Sequence, residues 1–577
     1  MSGGRLAAAR SLIAAALACA ACAALAGCGA AAGGPGSSSA AGAGGSGGAA
    51  VTGGETPAPG PAADPAAGGS SAALSAAAGG AAAASGAGTE VLAIGPRVVG
   101  RPIPSGYLGL SFEFQAVRAY TGADPSRIDP VLLALIRNLT PGQAPVLRIG
   151  GDSTDISYVP ARGVRPPAFA SYALTPSWLA TTAALARQLG ARMIMGINLA
   201  ADEPALAAAE ARAFKRALGD SIQAFEIGNE PNVYSKLPIM RTVFGLPVPA
   251  RPPGFGYPAY ARQLGAEAAA VAAADPGADL AGPALAVGPT APRGSWLHVL
   301  PALLAHDRRL AIVTVHRYPL RNCFVPPSSP QYPSIPHLLS DYATAGLAAS
   351  LRPWLAIARR QHRQLRVDEL NSVACRGKSG VSDTFAAALW APDALFSLAR
   401  AGVDGVDVHT LPGSAYQLFK VRRVHGLWEA HVEPVYYGLQ LFAQAAPPGS
   451  RLLAVSAGPD RAGRRGMRGL PATLSAWATR ARDGTLRILL IDKSASRSRT
   501  VILRLAPGAG PVATVERMLA PSVSSRGGVT LGGRSYGAET ATGVLGAPLD
   551  SSVPVAAGRV TVTLPAASAA LVTVAPG

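Results

Sequence analysis

Two glutamates, each closing an apolar run, are the residues of this chain whose type and spacing suit a reaction. The first run, Phe225-Glu-Ile-Gly-Asn-Glu-Pro231, carries Asn229-Glu230, and the second, Leu365-Arg-Val-Asp-Glu369, ends in Glu369. Paired carboxylates suit cleavage of a glycosidic bond. One carboxylic acid protonates the leaving oxygen while a carboxylate attacks or activates water, because the transition state is an oxocarbenium ion. The chemistry requires that the fold bring the two together.

The elements that must do so read as alternating strands and helices. Short apolar or β-branched runs occur at Tyr107–Phe114, Val146–Gly151, Arg192–Leu199, Ala224–Glu230, Leu285–Thr290, Ile312–Tyr318, Leu365–Leu370 and Gly405–Thr410. Between or after them, helical segments are expected at Pro130–Leu139, Ser177–Leu189, Pro204–Leu218, Tyr257–Ala274, Trp296–Leu304, Pro353–His362, Asp383–Ala401 and Pro434–Ala445. Eight βα units with strands buried on both faces predict a (β/α)₈ TIM barrel. An open doubly wound sheet is the competitor, but no Gly-x-Gly-x-x-Gly follows the first strand. In a barrel the C-terminal strand ends form the active face, so Glu230 on strand four and Glu369 on strand seven open onto one mouth. A gap of roughly 5–5.5 Å between them predicts a retaining enzyme.

After Pro447 the pattern becomes short alternating runs, Ala472–Ala481, Leu486–Asp492, Thr500–Leu505 and Val560–Leu564, which predict a C-terminal antiparallel β-sandwich. The expected organisation is a catalytic barrel over 88–446 and a β-domain over 447–577, with the strand-like stretch Glu90–Ile103 open to either. Ahead of these, Arg5 and Arg10 precede an apolar core, Leu12 to Leu25, and the sequence Leu25-Ala-Gly-Cys28. This reads as a lipoprotein signal over 1–27 with Cys28 receiving the lipid, the alternative being a plain secretory signal. Residues 28–87 are nearly all Ala, Gly, Ser and Pro, a composition that does not fold and serves as a tether. The expected location is a bacterial cell envelope, lipid-anchored and facing the exterior or periplasm, or secreted if the signal is an ordinary one.

The formal charge of +18 raises acidic partners. Its arginines are scattered, with clusters at Lys420-Val-Arg-Arg423 and from Arg461 to Arg468, and read as a solvated surface or an anion site. No helix-turn-helix, zinc-finger spacing or aromatic-studded basic stretch is present, which excludes a usual nucleic-acid module. The sequence carries no strong oligomerisation signal. Of the five cysteines, Cys323 and Cys375 remain after the N-terminal three are assigned to the signal and anchor. They follow strands six and seven and predict a disulfide bracing that loop pair. Neither has a second Cys or His at ligand spacing, so no metal is expected, and the chemistry needs no cofactor.

Gly228-Asn-Glu-Pro231 and Asp368-Glu-Leu-Asn-Ser372 resemble the retaining glycosidases of clan A. With Leu147-Arg-Ile-Gly-Gly-Asp-Ser-Thr-Asp155, Thr314-Val-His-Arg-Tyr-Pro319, Gly380-Val-Ser-Asp-Thr-Phe385 and the tail from Ala520-Pro-Ser-Val to Gly528-Val-Thr-Leu-Gly-Gly533, the chain is similar to glycoside hydrolase family 79, β-glucuronidases and heparanase included. The resemblance covers roughly residues 95 to 577. It implies Glu230 as acid/base, Glu369 as nucleophile, Asn229 on the sugar 2-hydroxyl, Glu113 on further hydroxyls and Tyr318 orienting the nucleophile. Two positions depart from the family: Asp152 stands where asparagine is frequent, and Ala374, followed by Cys375, replaces a tyrosine that helps to recognise the substrate carboxylate. Arg376 and Lys378 on that loop are the candidates to replace it.

Other readings of the same residues remain. Glu230 and Glu369 would also serve as carboxylates paired with arginines. His316 and His409 end strands six and eight, where substrate contact or packing is expected and a metal site would need further ligands. Asp152 and Asp155 bind sugar hydroxyls or cap the next segment, and Glu226 supports the site from behind. The expected function is a retaining, exo-acting β-glucuronidase-like hydrolase of a β-linked uronide or related hexoside. An endo-acting, heparanase-like hydrolase of acidic polysaccharide and a tethered carbohydrate-binding lipoprotein without turnover are the alternatives.

Overall fold

The computed structural model describes residues 88–238, 240–241, 245–289, 296–457 and 469–577. The expected signal, Cys28, the tether and the cluster from Arg461 to Arg468 lie outside the described residues.

Eight parallel strands close into a barrel in chain order: Leu108–Glu113, Val146–Gly150, Arg192–Ile197, Ile222–Ile227, Leu280–Ala286, Leu310–His316, Gln364–Leu370 and Gly405–Thr410. The eighth pairs with the first, Val406 opposite Leu108 and Thr410 opposite Phe112. Every residue of the first, second and eighth strands is buried, as expected where side chains fill the barrel on one face and meet helices on the other. The surrounding helices Pro130–Leu139, Pro204–Leu218 and Tyr257–Ala274 keep the bounds expected from sequence. Pro130–Leu139 shows why: Asp129 accepts from the Val131 backbone N–H at 2.8 Å, Pro130 fills the first turn, and Val131, Leu135 and Leu139 face the core.

Strand five differs from expectation. It begins at Leu280 rather than Leu285, because the Leu280-Ala-Gly-Pro283 segment, which reads as a turn, pairs with Leu310–Val313 and carries a register shift between Gly282 and Leu285. Proline cannot donate to a ladder, which accounts for an irregularity there. A helix over Phe114–Thr121, directly after strand one, was also not anticipated.

The C-terminal strands form one ten-stranded sheet, antiparallel except where Thr89–Val98 runs parallel to Arg499–Arg504. Thr89–Val98 lies between that strand and Arg451–Ala457, so the barrel does not begin at residue 88: the first strand of the chain belongs to the β-domain. Val562 from one end of the sheet and Val515 from near the other share a core with Leu92, Leu490 and Val572. The sheet therefore folds across its own apolar face as a sandwich.

A polar anchor joins this domain to the barrel. Asp393 on helix Phe385–Ala401 accepts from Trp477 Nε1 and Ser475 Oγ, both at 2.8 Å, and faces Lys493 Nζ at 3.2 Å. Phe396 stacks on Trp477 with centroids 5.4 Å apart. The basic run at Lys420 forms an outer hairpin strand in which Lys420 meets Glu433 at 2.6 Å and Arg422 meets Glu429 and Glu539. Among the described residues no helix is long and apolar enough to cross a membrane.

Candidate active site

The barrel's C-terminal mouth opens into a cleft of about 750 Å³ lined by Glu113, Asp152, Glu230, His316, Tyr318, Glu369, His409 and Tyr416, among others. Glu369 leaves strand seven directly. Glu230 stands three residues beyond strand four, which ends at Ile227, and two backbone features turn it into the cleft. Gly228 has φ +82°, and a Cβ there would meet Leu199 at 2.7 Å, so only glycine fits. Glu230 itself is left-handed at φ 52°, with its N–H bonded to Ala284 O at 2.9 Å. A non-glycine residue in that region costs about 1–3 kcal/mol and persists where surrounding structure holds it.

Carboxylate oxygens of Glu230 and Glu369 and a ring nitrogen of His316 all lie within 4.8 Å of one another. His316 Nδ1 is 3.0 Å from Glu230 Oε1 and 3.7 Å from Glu369 Oε2. In the neutral ring, Nδ1–H donates to Glu230 while Nε2, 3.3 Å from Arg148 Nη2, accepts. Burial opposes a charge on this ring, yet the Glu369 carboxylate and the bond to Glu230 raise its pKa.

Arg148, buried on strand two, is the hub beneath the cleft. It donates to Glu226 Oε2 (2.8 Å), Glu369 Oε2 (3.1 Å) and Asn229 Oδ1 (2.9 Å). Tyr318 donates to the other Glu369 oxygen at 3.0 Å. Burial alone would raise the Glu369 carboxyl; His316, His409, Arg148 and the Tyr318 hydrogen bond outweigh it and hold the group down to about 2. These contacts favour the ionised form of Glu369.

Glu113 is held by the turn after strand two. Its oxygens accept from the Asp152 N–H (3.1 Å), the Ser153 N–H (2.8 Å) and Ser153 Oγ. At Gly151, φ +79°, any Cβ would fall on this carboxylate. Asp152 faces the cleft and accepts from Asn229 Nδ2 at 3.0 Å. Loss of hydration, then the charges of Glu113, Glu230, Glu369 and Asp155, push the Asp152 carboxyl well above its usual range. Asp155 turns away from the cleft, accepting from Tyr234 OH at 2.6 Å and the Ala200 and Asn229 N–H groups. Asn229 is buried, with its amide oxygen on Arg148 and its nitrogen on Asp152, and the cleft lining does not include it. His409 bonds Ser111 Oγ at 3.0 Å and lies 3.7 Å from Glu113.

A disulfide joins Cys323 to Cys375, and the strands Leu320–Arg321 and Val373–Ala374 pair beside it. Arg376 lines the cleft on this loop pair, with Arg321 on the same wall; Lys378 is not among the lining residues. Sequence reasoning missed Arg148 as a site residue, although an arginine inside the apolar strand Val146–Gly150 was its signal. It also missed Tyr416, whose ring lies 6.1 Å from that of Tyr318, and Asn232, which clamps the loops after strands four and five through Ala286. Nothing local marks either.

Two sets of side chains have metal-ligand spacing: Glu230, His316 and Glu369, and the buried Glu226, His316 and Asp368. Both share His316, whose Nε2 faces the Arg148 guanidinium, and each contains a carboxylate already paired with that cation. A divalent ion would be pressed against a buried guanidinium, so the donor set suits ion pairing instead.

A closed parallel barrel followed by this β-domain defines the fold class, a (β/α)₈ barrel with a C-terminal β-sandwich. Residues 476–571 match the glycosyl hydrolase family 79 C-terminal beta domain, so the resemblance to that family is upheld at the C-terminal domain. No curated protein matches the chain. Among solved structures, a 4-O-α-L-rhamnosyl-β-D-glucuronidase from Fusarium oxysporum is 19% identical, with 84% of this chain and 100% of that one covered and a TM-score of 0.62. A family 51 arabinofuranosidase from Xanthomonas axonopodis pv. citri is 14% identical over 84% and 99%, TM-score 0.58. A bifunctional glucanase-xylanase from a metagenome library is 14% identical over 85% and 100%, TM-score 0.54. At these identities the likeness is one of fold.

Proposed function

We propose that the protein is a retaining glycosidase acting on a terminal β-linked uronide. The observation that carries this reading is the pair of carboxylates within 4.8 Å at one barrel mouth, one of them held ionised by Arg148, two histidines and Tyr318. Oxygens this close suit the short carboxyl separation of a retaining enzyme, in which one carboxylate attacks the anomeric carbon directly. In the first step Glu369 forms a bond to the anomeric carbon while Glu230 gives its proton to the departing oxygen. In the second, Glu230 takes a proton from water as the oxygen attacks the same carbon and Glu369 leaves. The carbon is inverted twice, so configuration is retained.

The uronide assignment is supported by Arg321 and Arg376 on the cleft wall and by the fold likeness to the Fusarium oxysporum rhamnosyl-glucuronidase. Among the described residues neither arginine forms an ion pair with a carboxylate. A panel of aryl β-glycosides including the glucuronide tests the activity, and an epoxide- or fluoro-sugar trap tests the nucleophile. Labelling of Glu369 with glucuronide hydrolysis is the expected result. Absence of turnover on every glycoside together with an unlabelled protein would remove the reading and leave a binding protein. The sequence Leu25-Ala-Gly-Cys28 supports a further proposal, attachment to the envelope through a lipid on Cys28. Radiolabelled fatty acid should enter the parent and not C28A; equal incorporation would dismiss it.

A further inference from the structure

Below the cleft, Asp368 precedes Glu369 on strand seven and is fully enclosed. Among the described residues neither of its oxygens has a hydrogen-bond donor, and Glu226 Oε1 lacks one as well. Buried carboxylate oxygens without donors are costly and rare. The groups around Asp368 offer no donor in hydrogen-bonding reach. Arg148, from strand two, is divided between Glu226 and Glu369. His316, from strand six, has Nε2 at 3.7 Å from Asp368 Oδ1 and turned toward Arg148. On strand eight, Asp407 is negative and holds Arg366 for itself. Yet an Asp368 oxygen lies within 4.8 Å of one on Glu226. Two carboxylates can only accept, so a hydrogen bond between them requires a proton.

We infer that Asp368 carries a proton in the resting protein and donates it to Glu226 Oε1, making the two a positioning pair that fixes Arg148 beneath the catalytic carboxylates. One proton satisfies an orphan oxygen on each residue and removes an uncompensated charge. Glu226 is then oriented from both sides, by Asp368 on Oε1 and Arg148 on Oε2. Arg148 in turn is fixed for Glu369. In the same direction, burial and the Glu226 charge push the Asp368 carboxyl well above its usual range, while Arg148, against the cost of burial, holds Glu226 below its own.

The test subtracts Asp368→Asn from the parent, since the amide of asparagine can donate the same bond without titrating. An infrared difference spectrum near neutral pH should contain a protonated-carboxyl stretch from the parent; its absence overturns the inference. If Asp368→Asn does not fold, Asp368→Ser, whose hydroxyl also donates, serves the same subtraction. A protonated acid with a raised folded pKa stabilises below its unfolded value and loses that contribution as pH rises through the folded value. The parent should therefore lose Tm on the alkaline side more steeply than Asp368→Asn, and parallel curves count against the pair. The kinetic arm alone rests on the proposed glycosidase reading: Asp368→Leu should lower kcat/KM about tenfold or more and Asp368→Asn should recover most of it. Equal loss in both would reject the positioning role. A parent without glycosidase activity would fail the earlier reading and leave the infrared and melting results to decide this one.

Discussion

The β-domain and the mouth of the barrel are both buried, and they are built on opposite terms. The β-domain core of Leu92, Leu490, Val501, Val562 and Val572 is aliphatic, so its stability follows the apolar area removed from water. The barrel mouth encloses Arg148, Glu226, His316 and Asp368 beneath the partly exposed Glu369, where burial costs energy that only close pairing offsets. The first region makes the fold durable; the second holds charge in a fixed geometry that chemistry can use. Changes in one should therefore read mainly in stability, and changes in the other in turnover.

The sharpest test is Glu369→Gln. The amide keeps an oxygen for Tyr318 but cannot form the covalent bond and gives up the ion pair with Arg148, so turnover should fall about 10⁴-fold or more, a loss far larger than the accompanying loss of stability. A variant as active as the parent on the same glycoside would break the division at its centre.

Arg148→Met and Leu490→Ala set the two regions against each other at similar cost. Removing Arg148 strands two carboxylates, which typically costs about 3–5 kcal/mol, and should abolish turnover as well. Truncating Leu490 leaves a cavity worth about 2–5 kcal/mol, but kcat/KM per folded molecule should not change. Chemical denaturation with activity measured on the folded fraction separates them. Loss of turnover in folded Leu490→Ala would show that the β-domain shapes the site directly, through the Asp393 and Trp477 contacts at the barrel helix.

The same contrast explains what the sequence discloses. In Arg559–Leu564 exposed and buried residues alternate strictly, so a half-buried strand is readable from period alone. Barrel strands such as Gly405–Thr410 are legible for the converse reason, being short and continuously buried. The two glutamates could be placed because a barrel strand's end has a known destination. Arg148 could not be given its partners, since Glu226, Asn229, His316 and Glu369 come from three other strands and no local period links them. Strand five escaped at its start because Gly282-Pro283 is a turn signal that the sheet overrides. The membership of Thr89–Val98 in the β-domain depends on pairing with residues 451–457, a contact without local trace.

A smaller effect sharpens the comparison on the barrel's flank, where carboxyls are buried without cations to pair them. Glu210, on helix Pro204–Leu218, accepts from the Asn198 N–H at 2.9 Å, yet burial pushes its carboxyl up to about 8. Glu267, on the neighbouring helix, is raised by the same cause and among the described residues has no hydrogen-bond partner on either oxygen. Both groups bind a proton more tightly folded than unfolded. Their contribution is complete below the unfolded carboxylate value and is lost as pH rises, for Glu210 up to its folded value near 8. For Glu210 stability should fall by about 1.4 kcal/mol per pH unit across that window. Glu369 behaves oppositely, since its depressed pKa contributes stability above the unfolded value that disappears only as pH falls toward 2. Denaturant melts from mildly acid pH up to about 8 should show Glu210→Gln declining less than the parent. An unchanged slope would mean that Glu210 is already ionised in the fold and that the flank, like the mouth, has found a way to compensate its charge.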